Sequence, residues 1–345
     1  MATKSPAKRK PTPAPSTLGR VLGFMLLITF LALIAAGGWF YSWATESQPK
    51  PVAGAVVLKP GNMQSLAMQL HDQGAIDSPT LFVWLARLSG KDTQVKAGRY
   101  RISADISPWF LLRKLVKGDA DELQVTIVEG WSWRDLRKAL NSDPFLKHDS
   151  AQLSDEALLA QLGINAASPE GLFFPDTYQI EAGGSDLQLL ARANRRLQQK
   201  LDEAWAVRKS DLPLKNAYEA LILASLVEKE TGQASDRPMV AGVFINRLNK
   251  GMRLQTDPAV IYGVGAAFDG DITKNHLKTD TPYNTYTRHG LTPTPIAMVG
   301  EAALRAATQP ADTSALYFVA RGDGYSQFSN TLAEHNAAVK KYLQR

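Results

Sequence analysis

The clearest pattern in the chain is an uninterrupted apolar run. Residues 21–43, VLGFMLLITFLALIAAGGWFYSW, carry no charge and only Thr29, Tyr41 and Ser42 as polar side chains. At about 1.5 Å per residue such a helix reaches about 34 Å, enough for a hydrocarbon core of ~30 Å. Trp39, Tyr41 and Trp43 cluster at its far end, where amphipathic rings favour the headgroup boundary. The run is longer than the apolar core of a cleaved leader and lacks a small-x-small site there, so the pattern predicts a retained transmembrane helix.

Shorter periods follow. Val56–Leu58 reads as a strand ending at Pro60-Gly61, and Leu66 and Leu70 give helical spacing over NMQSLAMQLHDQG, which Gly74 closes. A second helix is predicted over Thr80–Leu88 and a strand over Gly98–Ile102. Ser107-Pro108 opens another helix, with Trp109, Leu112 and Leu115 on one face and Gly118 as its stop. Val125–Gly130 and Trp131–Leu140 then repeat strand, Gly turn and helix, weakly echoing Val56–Leu70. A long polar–apolar helix is expected over Asp186–Arg208, its charges on a solvated face. Ala217–Thr231 is apolar nearly all round and so belongs at the centre of its domain. The next helix has Ser235 as its cap before Asp236-Arg237-Pro238 and carries Val240, Val243, Phe244, Arg247 and Leu248 at helical spacing. A strand pair and a helix are expected within 317–336.

The fold class is therefore α+β: a single N-terminal transmembrane helix, a small α+β subdomain and a larger α+β domain. The expected boundaries are 1–20 for a basic tail, 21–43 for the membrane helix, 44–55 for a Pro/Gly-containing linker, 56–120 for the small subdomain and 121–345 for the large one. Charge refines this picture. The formal net charge is +6, but Lys4, Lys8, Arg9, Lys10 and Arg20 supply five of those charges with no acid among them, leaving +1 elsewhere. That balance excludes a nucleic-acid footprint. It also predicts a cytoplasmic N-terminus and an exported body. With no cysteine in the chain, that body does without disulfides.

Candidate chemistry lies in the last third. SLVEKETG (225–232) sets Glu228 and Glu230 against the most apolar helix, where an ionised carboxylate is costly unless paired or protonated. Around it, MRLQTDPAVIYG (252–263) and TPYNTYTRHGLTPTPI (281–296) are rich in amides, hydroxyls and rings, which suit a neutral polyhydroxylated ligand. A carboxyl kept protonated by apolar surroundings beside such a cleft is what glycosidic cleavage requires. Glu170, Asp176 and Tyr178 in SPEGLFFPDTY could line the cleft or satisfy their own loop. Helical spacing does not separate Glu228 from Glu230. His276, His289 and His335 with the two glutamates lack metal-ligand spacing, so no metal or other cofactor is expected.

The ordered motifs EGLFFPDTY, LVEKETG, VFINRLNKGMRLQTDPAVIYG, TPYNTY…GLTPTPI and YFV…TLAEHN closely resemble those of the YceG-like endolytic murein transglycosylases. The resemblance runs from the membrane helix to the last helix. It implies that Glu228, first of the two glutamates, is the catalytic acid/base. Gln255, Asp257, Tyr262, Asn284 and Tyr286 are the expected substrate-binding residues, with capping of the turn into AVIYG the alternative role for Asp257. The small subdomain is expected to be LysM-like. The implied activity is endolytic cleavage of the MurNAc–GlcNAc bond in nascent glycan strands, leaving 1,6-anhydroMurNAc ends and terminating elongation. The implied place is the inner membrane, with the catalytic domain periplasmic and penicillin-binding synthases as possible partners. The family often has Gly-His after its last Gly-rich turn; this chain has Tyr325-Ser326, so no histidine role is carried over. Two rivals stand beside this reading: a non-catalytic peptidoglycan-binding scaffold, and a muramidase that uses water.

Overall fold

The computed structural model describes residues 17–47, 54–103, 105–120 and 123–343. Lys4, Lys8, Arg9 and Lys10 of the expected tail, and 48–53 of the expected linker, lie outside the described residues. The chain divides into two compact units, meeting in sequence at Asp121 and Glu122.

In the first unit, helix α1 (Thr17–Thr45) extends the expected apolar helix by about a turn at its start. From Val21 to Gly38 its side chains are exposed, including Leu31 and Leu33. Among the described residues this is the one helix long and apolar enough to cross a membrane, and it fits a single-pass anchor. Its last turn differs: Ala44 is buried, and Phe40 and Trp43 pack against the core of the small subdomain. That core is built by β1 (Gly54–Leu58), α2 (Met63–Asp72), α3 (Pro79–Leu88), β2 (Gly98–Ile102) and α4 (Pro108–Lys117). The two strands pair antiparallel with Val56 opposite Tyr100. Alternation in β2 sends Gly98, Tyr100 and Ile102 inward. The outer edge of β1 is satisfied by a side chain, since Gln73 receives the Val57 N–H and donates to the Val57 carbonyl, both at 2.8 Å. Asn62, Ser78 and Ser107 cap the three helices, with prolines in the first turns of α3 and α4.

The second unit opens with β3 (Leu123–Thr126), α5 (Trp133–Ser142), β4 (Leu146–Lys147), α6 (Asp155–Leu162), β5 (Thr177–Ile180) and β6 (Gly184–Ser185). Strand β3 pairs antiparallel with β5, and the short β4 runs parallel to β6. Then come α7 (Asp186–Ala206), α8 (Ala217–Glu230), α9 (Arg237–Asn249), α10 (Asp257–Val264), α11 (Lys274–Lys278) and α12 (Glu301–Thr308). The hairpin β7 (Tyr317–Ala320) and β8 (Ser326–Ser329) and helix α13 (Leu332–Tyr342) finish the unit.

Helix α8 is central because every residue from Ala220 to Val227 is buried, so no face of it can meet water. It is sheathed by α7, α9 and α12. Truncating one of its fully buried leucines, such as Leu223, should cost about 2–5 kcal/mol. Two details depart from the sequence pattern. Helix α9 has no side-chain cap: Ser235 does not supply one, and Asp236 instead accepts the Ser326 N–H at 2.7 Å. Helix α12 was not anticipated, because its apolar face is made mostly of alanines, whose small side chains give little periodic signal.

Candidate active site

Helix α8 delivers Glu228 and Glu230 at its last turn. Residues two apart on a helix point about 200° away from each other, so the two carboxyls leave opposite sides. Glu228 accepts the Gly300 N–H at 3.0 Å and the Arg237 guanidinium at 3.2 Å. Burial pushes its carboxyl above the usual range; the Gly300 amide and Arg237 pull it back, and Glu129 pushes it up again. A proton on Glu228 would break the ion pair, leaving a largely buried guanidinium without its counter-charge.

Glu230 sits elsewhere. Its carboxyl accepts the Thr256 hydroxyl at 2.8 Å. Burial is the main cause of a pKa near 7; Asp257 raises it further, while the Thr256 hydrogen bond and Arg247 act against the rise. The loop carrying Thr256 is held from both sides. The buried Arg247 donates to the Leu254 carbonyl at 2.8 Å and the Leu316 carbonyl at 2.7 Å, and its guanidinium lies 5.2 Å from the centre of the Tyr317 ring. The Thr256 N–H donates to Thr285 Oγ1 at 3.0 Å, and the Gln255 N–H to the Thr285 carbonyl at 3.1 Å.

Gln255, exposed, has φ +50°, the one positive φ at a non-glycine position among the described residues. A left-handed conformation costs an ordinary side chain about 1–2 kcal/mol, and such strain gathers at functional sites. Asp257, two residues on, accepts the Tyr286 hydroxyl at 2.6 Å. It does not cap α10, whose start has no side-chain cap. Asp257 and Tyr286 therefore share the surroundings of Glu230, and Gln255 precedes Thr256 in the same loop.

Asn284 and Tyr262 stand differently from the sequence expectation. Asn284 is 1% exposed; its amide donates to the carbonyls of His276, Leu277 and Thr279, and its oxygen accepts the Tyr286 N–H at 2.8 Å. With every polar atom committed inward, it builds the loop that presents Tyr286 and has nothing left to offer a sugar. Tyr262 lies on α10 but points to another carboxyl, donating to Glu170 at 3.0 Å, with its ring edge-on to Tyr283 at 4.8 Å.

Glu170, 3% exposed, also accepts the Trp133 N–H with both oxygens, at 2.9 and 3.0 Å. Burial raises its pKa to about 7. The other two residues of that motif serve their own loop: Asp176 accepts the Thr177 N–H, and Tyr178 donates to the Phe174 carbonyl.

The three histidines have local roles. His276 joins the capping box of α11, His289 Nδ1 lies 3.0 Å from the Gly251 carbonyl, and His335 stacks on Tyr317 at 5.2 Å.

Sequence reasoning missed Thr256, Arg237, Gly300 and Glu129. The last three converge on Glu228. Segment 130–131 pairs with Met298 through the Gly130 N–H to the Met298 carbonyl and the Met298 N–H to the Trp131 carbonyl, at 2.8 and 2.7 Å. This lays Glu129 across Gly300, where a Cβ would come 2.0 Å from Glu129 Oε1. The Glu-Gly step at 129–130, noted only as a turn, was the available signal. A separate cleft of about 650 Å³, lined by residues including Gln188, Arg192 and Arg195, involves none of these groups.

The fold has a solved counterpart: a crystal structure of a YceG-like protein from Listeria monocytogenes superposes with a TM-score of 0.56 at 26% identity, covering 82% of this chain and 97% of that one. In sequence, the chain is 31% identical over 334 residues to the endolytic murein transglycosylase of Bacillus subtilis, across 90% of this chain and 91% of the relative. The endolytic murein transglycosylase of Streptococcus pneumoniae D39 is 29% identical over 92% of this chain, which spans 64% of that longer protein. The YceG-like family profile matches residues 56–341, and the chain belongs to that family.

Proposed function

We propose that this protein is an endolytic murein transglycosylase in which Glu230, not Glu228, is the acid/base. The names of the Bacillus and Streptococcus relatives support the reaction. The choice of glutamate, which reverses the expectation from resemblance, rests on one observation. Of the two, Glu230 accepts a neutral hydroxyl, that of Thr256, in the loop that carries Gln255 and Asp257, with the Tyr286 hydroxyl bonded to Asp257. A general acid must hold its proton near neutral pH. Glu230 meets that requirement, whereas Glu228 is engaged by a cation and an amide that favour its carboxylate form.

In the proposed step, protonated Glu230 gives its proton to the oxygen joining C1 of N-acetylmuramic acid to C4 of the next N-acetylglucosamine. The C1–O bond breaks and positive charge develops at C1. The Asp257 carboxylate, oriented by the Tyr286 hydroxyl, stabilises that charge without a covalent bond. The muramyl C6 hydroxyl then bonds to C1 and returns its proton to Glu230, so no water is consumed. Attack within one sugar ring gains from proximity, which suits a site with one acid/base. Gln255 and Tyr286 hold the sugars. Glu228 with Arg237 and Gly300 fixes the end of α8, so that Glu230 keeps its place.

In this reading the basic tail stays cytoplasmic, as the positive-inside rule favours, and the second unit acts on the outer face of the inner membrane. Mass spectrometry of fragments released from purified murein tests the reading. The wild-type chain yields anhydro ends one water lighter than reducing ends, and Glu230→Gln loses them. Reducing ends would indicate the muramidase, and no release at all the scaffold.

A further inference from the structure

Helix α4 carries a face that the core does not use. Pro108, Leu111, Leu112 and Leu115 are buried, while Phe110, Arg113, Lys114 and Lys117 recur at i, i+3, i+4 and i+7 on the other side. Phe110 is 59% exposed, with the Arg113 guanidinium 6.0 Å from its ring centre. A groove of about 520 Å³ opens along this face, its walls including Lys91 and Ile106 beside the same four side chains. Asp119 is the acid at its edge, 3.2 Å from Lys114, so cations outnumber acids there four to one. The location gives this composition a meaning. Helix α4 packs directly on α1, whose last turn, with Phe40 and Trp43, is built into the same core. Trp39 and Tyr41, both exposed, mark the level at which α1 leaves the hydrocarbon.

We propose that this face of α4 lies on the bilayer that α1 crosses, with Phe110 inserted at the interface and Arg113, Lys114, Lys117 and Lys91 gripping anionic phospholipid headgroups. A ring flanked by cations is the make-up of an interfacial helix. The small subdomain is thereby pinned to the membrane surface rather than swinging from α1. The inference depends on α1 being a membrane anchor, but not on the chemistry of the catalytic unit.

The chain has no cysteine, so single spin labels can be placed cleanly. Full-length Phe110→Cys, Leu31→Cys and Asp72→Cys proteins are labelled and reconstituted in nanodiscs of phosphatidylcholine alone or mixed with phosphatidylglycerol. Accessibility to oxygen, which favours lipid, is then compared with accessibility to a water-soluble nickel chelate. The label at 31 reports lipid and that at 72 water in both. The label at 110 reports lipid in the anionic discs and moves toward water in the neutral ones. Each cation near an anionic surface is worth about fivefold, so Arg113→Glu, Lys114→Glu and Lys117→Glu together lower the docked-to-free ratio by on the order of a hundredfold or more. A label at 110 in water in anionic discs, with 31 in lipid, overturns the proposal and leaves the anchor standing. Water at both positions overturns the anchor reading too. Protection of 110 by added murein but not by anionic lipid assigns the face to glycan and likewise overturns it.

Discussion

Replacing Thr256 by valine isolates one contact that sets where Glu230 gives up its proton. The hydroxyl donates to Glu230 at 2.8 Å from a residue only 2% exposed, so neither water nor another donor takes its place when it is removed. Hydrogen bonds to charged groups contribute about 1.5–3 kcal/mol. At about 1.4 kcal/mol per pH unit, losing this one raises the carboxyl by about 1–2 units above its value near 7. The sign follows from the proton inventory: the bond favours the carboxylate, so its loss favours the acid. Activity that needs the protonated form falls as pH rises through the pKa, so the alkaline limb of kcat/KM moves upward by that amount in Thr256→Val. The assay is the rate of anhydro-muropeptide release across a pH series, with circular dichroism confirming the fold. The wild-type limb should centre near pH 7, and Glu230→Gln should lower kcat about 10²–10⁴-fold at every pH. A limb that stays put in Thr256→Val, or that shifts instead in Glu228→Gln, refutes Glu230 as the acid.

Further outcomes follow from the same contacts. Glu228→Gln keeps the Gly300 amide contact but loses the ion pair with Arg237, so it should cost about 3–5 kcal/mol in denaturant unfolding while retaining far more activity than Glu230→Gln. Tyr286→Phe removes the donor to Asp257 and should lower kcat more than it raises KM, by about one to two orders of magnitude, if that carboxylate acts on the transition state. Glu170 and Glu230 are both raised from 4.5 to about 7, so their stabilising effect is complete below pH 4.5 and is lost as pH rises through 7. Each accounts for about 3 kcal/mol by linkage, and unfolding followed by pH should show Glu170→Gln flattening that decline. Gly171→Ala should cost about 3 kcal/mol or more, seen as a fall in Tm. Its φ is +73°, and the new Cβ would lie 2.4 Å from the Pro295 Cβ with a backbone oxygen at 3.1 Å.

What the chain alone determined is whatever depends on local order. The uncharged run from Val21 is a helix whatever surrounds it, because its length and apolarity are properties of consecutive residues. The same holds for the capped helices of the small subdomain, where Asn62, Ser78 and Ser107 satisfy amides three residues ahead. The buried rank of α8 was legible too, since a helix apolar on every side has no solvent face to offer. Only the tertiary structure could part Glu228 from Glu230. Both have the same apolar neighbours in sequence, and their difference comes from Arg237, Gly300 and Thr256, at 9, 72 and 26 residues' separation. It likewise turned Asn284 from a sugar-binding candidate into the clamp of its own loop, and brought Glu170 under Tyr262 from 92 residues away. A carboxyl's protonation is decided by the dielectric and the donors that folding packs around it, and no local pattern carries that information.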